Sequence, residues 1–240
     1  MLRPPDKFWD EYFRVYDVLN EVYPYKNLLE TIVSKMDLHP GTTVLDAGTG
    51  TGNLAVLVNK TGATVIGVDT STHGVKIFKE KLPHSEVVLH DISHLPCFKN
   101  NFFDYVCCVN TIFALPTNKR TDVFSEFYRV LKPGGKIIVT NLLLGYRPIK
   151  IYIDHIKTGI RQIGYIKILV NIVKLLIPTM KMFYYSKLIH KYSSESTGEI
   201  KLFSLHEQRS YLINAGFVNV SENMKVFADQ AVLNTGFKVK

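Results

Sequence analysis

The sequence predicts an α/β fold, a parallel β-sheet covered by helices on both faces, and three observations lead to it. From about residue 42 to residue 142, short apolar runs of strand length alternate with stretches of helical spacing, the order that builds a parallel sheet through crossover helices. A glycine-rich turn, GTGTG at 48–52, follows the first run and opens a helical stretch, so the backbone there can approach a ligand closely at the carboxyl end of the sheet. Hydrophobic residues at 46% and charged residues at 21% of 240 describe a globular chain with one core, not a disordered or fibrous one.

Residues 7–36 read as two helices. The first carries Phe8, Trp9, Tyr12, Phe13, Tyr16 and Leu19, and the second follows Pro24 with Leu28, Leu29, Ile32 and Val33 at helical spacing. The apolar part of GTTVLDAG is the first strand, 53–60 the next helix, and ATVIGVD a buried second strand. Ser71 to Lys81 is helical, with Ser71 or Thr70 as N-cap. EVVLHD, FDYVCCVN and GKIIVTNLL supply the third, fourth and fifth strands, with a helix from Lys119 to Leu131 and a tight KPGG turn before the fifth. Beyond Leu144 a basic, apolar stretch runs to about residue 192, followed by the polar linker SSESTGE. Ser204 caps a helix that ends at Gly216, and FVNVSENMKVF and QAVLNTGFKVK read as two last strands. No internal repeat or low-complexity run is present.

Three cysteines, Cys97, Cys107 and Cys108, form no CxxC pair, which points to a reducing compartment and away from a disulfide frame or metal site. The N-terminus MLRPPDKFWDEYF has no apolar run of signal-peptide type, so the expected location is cytoplasmic. The net charge of +8 is concentrated: residues 145–192 hold nine basic residues against Asp154 alone, and the remaining twenty basic and twenty acidic residues balance. The chain is thus a neutral body carrying one basic insert.

The glycine loop alone leaves two cofactor classes open, because Gly50, Gly52 and Ala55 also satisfy the dinucleotide pattern and Asp69 stands at the distance where a ribose hydroxyl is held. The carboxylates discriminate. Asp46, two residues before the first glycine, suits an ammonium group and would oppose a nearby pyrophosphate. Asp69 ends the second strand, placed for both ribose hydroxyls. Asp91 ends the third, placed for an exocyclic amine. Three acids without a phosphate-holding Lys or Arg suit a cofactor with an amine, a ribose and an adenine but no phosphate, which describes S-adenosylmethionine.

The ordered segments VLDAGTGTGNLA, VIGVDTS, HDISHLPCFKNNFFDYVCCVNTIFAL, EFYRVLKPGGKIIVTN and FSLHEQRSYLINAGFVNV resemble the class I S-adenosylmethionine-dependent methyltransferases, in particular the small-molecule branch with the ubiquinone/menaquinone and phospholipid methyltransferases. The resemblance covers roughly 42–142 and 203–240. It implies a Rossmann-like seven-stranded sheet, mostly parallel with a C-terminal antiparallel hairpin and flanked by helices, with an N-terminal helical cap and a helical insert before the last two strands. The division it suggests is 1–40 for the cap, 41–144 with 200–240 for the cofactor-binding domain, and 145–199 for the insert. It also implies that Gly48, Thr49 and Gly50 line the methionine and ribose part, that Asp69 binds the ribose with Thr70 beside the adenine, that Asp91 and Ile92 contact the adenine, and that Asn110 approaches the sulfonium. Lys99, Asn100 and Asn101 stand where the family commonly has acids, which places them in a surface turn.

Methyl transfer from a sulfonium is an in-line displacement with a neutral leaving group, so alignment and exclusion of water are the main requirements. Should the acceptor lose a proton, His73, His90, His94, His155, His190 and His206 are available, and none is singled out as a base. Tyr12 and Tyr16 on the aromatic first helix are lid candidates. In the insert, Lys167, Lys174 and Lys181 recur every seven residues and form one helical stripe, with Pro178 expected to kink or divide the helix. The longest uncharged runs at 165–185 are six residues, far short of the ~20 that span a bilayer. The insert is then a helical lid over the acceptor, an amphipathic surface on anionic lipid, or both. The expected partner is a small, amphipathic or lipid-like acceptor, with peripheral membrane contact. RNA methylation through the basic insert and a non-catalytic regulatory module are the alternatives.

Overall fold

In the computed structural model, residues 7–194 and 201–240 are described; residues 1–6 and 195–200, which include most of the expected linker, lie outside them. The chain forms α1 (Phe8–Tyr16), a 3₁₀ turn (Asp17–Glu21), α2 (Tyr23–Val33), β1 (Thr43–Ala47), α3 (Asn53–Asn59), β2 (Thr64–Asp69), α4 (Thr72–Lys81), β3 (Glu86–Leu89), β4 (Phe103–Val109), α5 (Arg120–Val130), β5 (Leu131–Leu142), α6 (Pro148–Ile163), α7 (Tyr165–Ser194), α8 (Glu207–Asn214), β6 (Met224–Val226) and β7 (Ala231–Phe237). One seven-stranded sheet has the order β3-β2-β1-β4-β5-β7-β6. Its first five strands pair in parallel, and β7 runs antiparallel to both β5 and β6.

β1 and β2 are buried along nearly their whole length because helices cover both faces, so neither alternates buried and exposed. The strand order reverses between β1 and β4, which opens a crevice at their carboxyl ends. α4 starts where Ser71 Oγ accepts from the Gly74 amide at 3.0 Å. α8 stops at Gly216, whose φ of +95° suits a residue without Cβ.

Several expectations are corrected. β3 stops at Leu89, so Asp91 lies in the turn beyond the strand. KPGG is drawn into β5 as an irregularity in its pairing with β4, with Gly134 at φ +77°. Ser204 gives no side-chain cap: its amide instead donates to Glu207 Oε2 at 3.1 Å. β6 has three residues, because 218–223 pair by one isolated bridge and by Asn234, whose amide reaches the carbonyl oxygens of Ser221 and Glu222. α7 continues through Pro178 for 30 residues. One missing backbone donor is tolerated there, since buried Ile168, Met182 and Ile189 anchor the helix on either side.

Candidate active site

The glycine loop is fixed by the strand beside it. The amides of Gly48 and Thr49 donate to the Val68 carbonyl at 2.7 and 3.0 Å. Asp69, at the end of β2, accepts from the Gly50 amide through Oδ2 and from the Ser71 amide through Oδ1, both at 2.8 Å. One carboxylate thereby holds both the loop and the start of α4, and each oxygen retains capacity for a further donor. Thr49 Oγ1 donates to Asp46 Oδ2 at 2.7 Å, and Thr51 Oγ1 ties the loop to Asp17 at 2.6 Å. Gly50, at φ +53°, is covered by Phe13 of α1: a Cβ there would stand 2.6 Å from the ring.

Beside this loop lies a cleft walled by the glycine loop, the first two helices and the insert, a concave and largely apolar site of the kind that takes a small molecule. Asp46, Gly48, Thr49, Gly50, Asp69, Thr70 and Asn110 all face it. Asp46 and Asp69 are only 2% and 8% exposed. Burial pushes Asp46 up to about 7, the Thr49 hydroxyl opposing and the Asp69 charge adding to the rise. Burial likewise raises Asp69, against the amides that bind it. No Lys, Arg or His is among the described residues that line the cleft. Asn110 sits at φ +50°, which Asn tolerates, and its Oδ1 accepts from Thr140 Oγ1 at 3.3 Å.

The opposite wall is aromatic and aliphatic. Tyr12 and Tyr16 of α1 line it, with Tyr25 of α2 hydrogen-bonded to Tyr16 at 3.1 Å. Burial raises the phenols of Tyr12 and Tyr16, and takes Tyr25 and Tyr146 to about 12, so these hydroxyls stay protonated and act as hydrogen-bonding groups, not bases. The insert adds Tyr146, Tyr152, Met182, Ser186 and Ile189. These were missed from sequence, although 182, 186 and 189 have the spacing of one helical face.

Other expected residues fall elsewhere. Asp91 and Ile92 are not on the cleft wall: Asp91 accepts from Lys119 Nζ and from the Ser93 amide, both at 2.8 Å, and Ile92 is buried in the core. Burial raises the Asp91 carboxyl, but Lys119 and Ser93 bring it net below its usual value. Lys167, Lys174 and Lys181 are exposed on the outer side of α7 and do not reach the cleft, because its buried face points the other way. His73, His90, His94, His155 and His206 do not line it either, and the His190 side chain is outside the described set. His155 is buried between α6 and α2, where Nδ1 accepts from the Tyr23 amide at 3.2 Å. Among the described residues no group of three or more His, Cys, Asp or Glu could hold a metal ion.

Residues 45–139 match the methyltransferase domain family. Over 147 residues the chain is 35% identical to phosphoethanolamine N-methyltransferase 2 of Caenorhabditis elegans, covering 59% of this chain and 32% of that protein. Over 155 residues it is 32% identical to the demethylmenaquinone methyltransferase of Oceanobacillus iheyensis, covering 58% and 63%. The chain thus spans less than two-thirds of either relative. Its fold is shared with Haemonchus contortus phosphoethanolamine N-methyltransferase 2, solved with phosphomonomethylethanolamine and S-adenosylhomocysteine: TM-score 0.61, 18% identity, 98% of this chain and 58% of that one.

Proposed function

From a chain that carries a class I S-adenosylmethionine-dependent methyltransferase domain over residues 45–139, we propose an enzyme that binds S-adenosylmethionine in this cleft and methylates a small, uncharged, lipid-like acceptor. The observation that carries the reading is the charge of the cleft: two buried carboxylates at the glycine loop and no basic side chain among its described lining. That donor set fits a cofactor with an ammonium and a sulfonium and no phosphate. It also disfavours an acceptor that brings a phosphate.

When bound, the cofactor supplies an electrophilic methyl group on its sulfonium for in-line transfer. Asp46 would hold the ammonium and Asp69 the ribose hydroxyls, Gly48, Thr49 and Gly50 would line the methionine and ribose part, and Thr70 would flank the adenine. Asn110 faces the reacting end. The rings of Phe13 and Tyr16 face the same cavity, and aromatic faces favour a cation over water. The cap and insert exclude water, and hydroxyls of Tyr16 and Ser186 orient the acceptor. No residue needs to act as a strong base, in keeping with raised phenols and the absence of a described histidine on the wall.

The membrane contact belongs to the same reading. α6 and α7 expose Ile149, Ile153, Ile166, Val173 and Ile177 beside the lysine stripe, and no helix of the described residues is long and apolar enough to cross a bilayer. Such a face lies in the interface of an anionic leaflet. Calorimetry tests the cofactor assignment: S-adenosylmethionine binds the native chain, and Asp69→Ala, checked for folding by circular dichroism, loses at least tenfold in affinity. Unchanged binding by that variant overturns the assignment. Label carried from the cofactor into the lipid fraction of a cell extract supports the acceptor class, and label in RNA overturns it.

A further inference from the structure

α7 presents one face to solvent and, further along, another to the cavity. Ile166, Leu169, Val170, Val173, Leu176 and Ile177 are exposed, Ile166 by 79%, and Lys167, Lys174 and Lys181 run along one edge of their band. About one to three turns beyond Ile177, Met182, Ser186 and Ile189 turn inward to the cleft. An apolar band of this extent is unfavourable in water. With nine basic residues and one acid over 145–192, it complements an anionic headgroup layer and repels a second copy of itself.

α7 meets α1 along an aromatic seam, where Tyr185 lies edge-on to Phe8 and Tyr12 at 5.8 and 5.9 Å. A groove lined by Glu11, Arg14 and Val15 of α1 and by Met180, Lys181, Tyr184 and Tyr185 of α7 marks the outer side of the seam, the Glu11 charge balanced by Arg14 beside it, and Tyr12 lines the cleft on its inner side. Gly145 and Gly164, before α6 and between α6 and α7, have φ near +80° and open space where a Cβ would stand, so neither side-chain packing nor a Cβ restrains the backbone at either point. Resting on the methyl transfer proposed above, we propose that the α1–α7 seam is the portal for the acceptor, and that docking of the outer face of α7 on an anionic bilayer opens it. The acceptor then passes from the leaflet to Tyr12 and Ser186 without crossing water.

Hydrogen exchange on the full chain tests this, with vesicles of phosphatidylcholine alone or mixed with phosphatidylglycerol. The expected result is salt-reversible association with the mixed vesicles only, slower exchange in 166–177, and faster exchange, by about tenfold or more, in α1 and 182–189. Trp9, the only tryptophan and part of the cleft wall, changes emission in step. Leu169→Glu with Val173→Glu abolishes all these changes and leaves S-adenosylmethionine binding intact. Protection of 166–177 with no acceleration at the seam overturns the portal. Absence of vesicle association, or self-association that covers 166–177 without lipid, overturns the docking. Loss of cofactor binding by the native chain is a separate failure, of the methyltransferase reading itself.

Discussion

Asp46 is a carboxylate in surroundings that favour its neutral form, and this has a measurable sign. Its folded value, about 7, stands above the ordinary 3.8, so its full contribution to stability is present below about pH 4 and is lost as pH rises to about 7. Three units correspond to as much as about 4 kcal/mol. Asp46→Asn, cofactor-free, is therefore expected to melt higher than the native chain at pH 8, with the gap closing toward pH 4; His155 and the carboxylates remote from Asp46 cancel in that comparison, while release of the Asp69 charge from its neighbour adds in the same direction. Equal pH profiles for the two proteins would refute it. That Asp46 and Asp69 stand beside the glycine loop was legible in the sequence, because strand and loop fix their place locally. The ion pair of Asp91 was not: its partner Lys119 lies 28 residues further on, and only the packing of that turn against the 117–120 segment brings the ammonium to it.

The first helix shows how one element is docked beside the glycine loop. Asp10 of α1 caps a different helix, accepting from the His73 amide at 3.1 Å and from the hydroxyls of Ser71 and Thr72. Burial raises its carboxyl, but these donors bring it net below its usual value. Phe13 then lies over Gly50 and Gly74. Removing such a cap costs about 1 kcal/mol, so Asp10→Ala is expected to lower the unfolding free energy measured in urea by that amount and to make α1 the first site of proteolytic cleavage. Cleavage unchanged in position and rate would show that α1 is held by its rings alone. The helical spacing of α1 was readable from sequence; its docking on α4 was not, since a carboxylate at position 10 carries no sign of the helix 61 residues away whose amides it meets.

Across the whole molecule, charge and sheet are separated. The sheet and its covering helices form the neutral body, and the basic residues gather on the face that α6 and α7 present outward. Each lysine near an anionic surface contributes about 1 kcal/mol, screened by salt. Replacing Lys167, Lys174 and Lys181 with Gln is expected to weaken association with phosphatidylglycerol vesicles by about 100-fold at low ionic strength, with a flatter salt dependence and no change in melting temperature. A loss of less than about threefold in sedimentation assays would put the electrostatic contact elsewhere.

By itself the sequence determined the alternation of strands and helices, the glycine loop that follows the first strand, the two acids beside that loop and the concentration of charge in one insert. All of these follow from local spacing, which sets which face of an element is buried. Only the tertiary structure decided that Asp91 is spent on Lys119, that the lysine stripe points away from the cleft, and that Tyr146, Tyr152, Met182, Ser186 and Ile189 complete its wall. The periodicity of α7 supplied a stripe without saying which way it turns. Orientation is set by what the helix packs on, and for α7 that is α1 and α6, elements placed by contacts far apart in the chain.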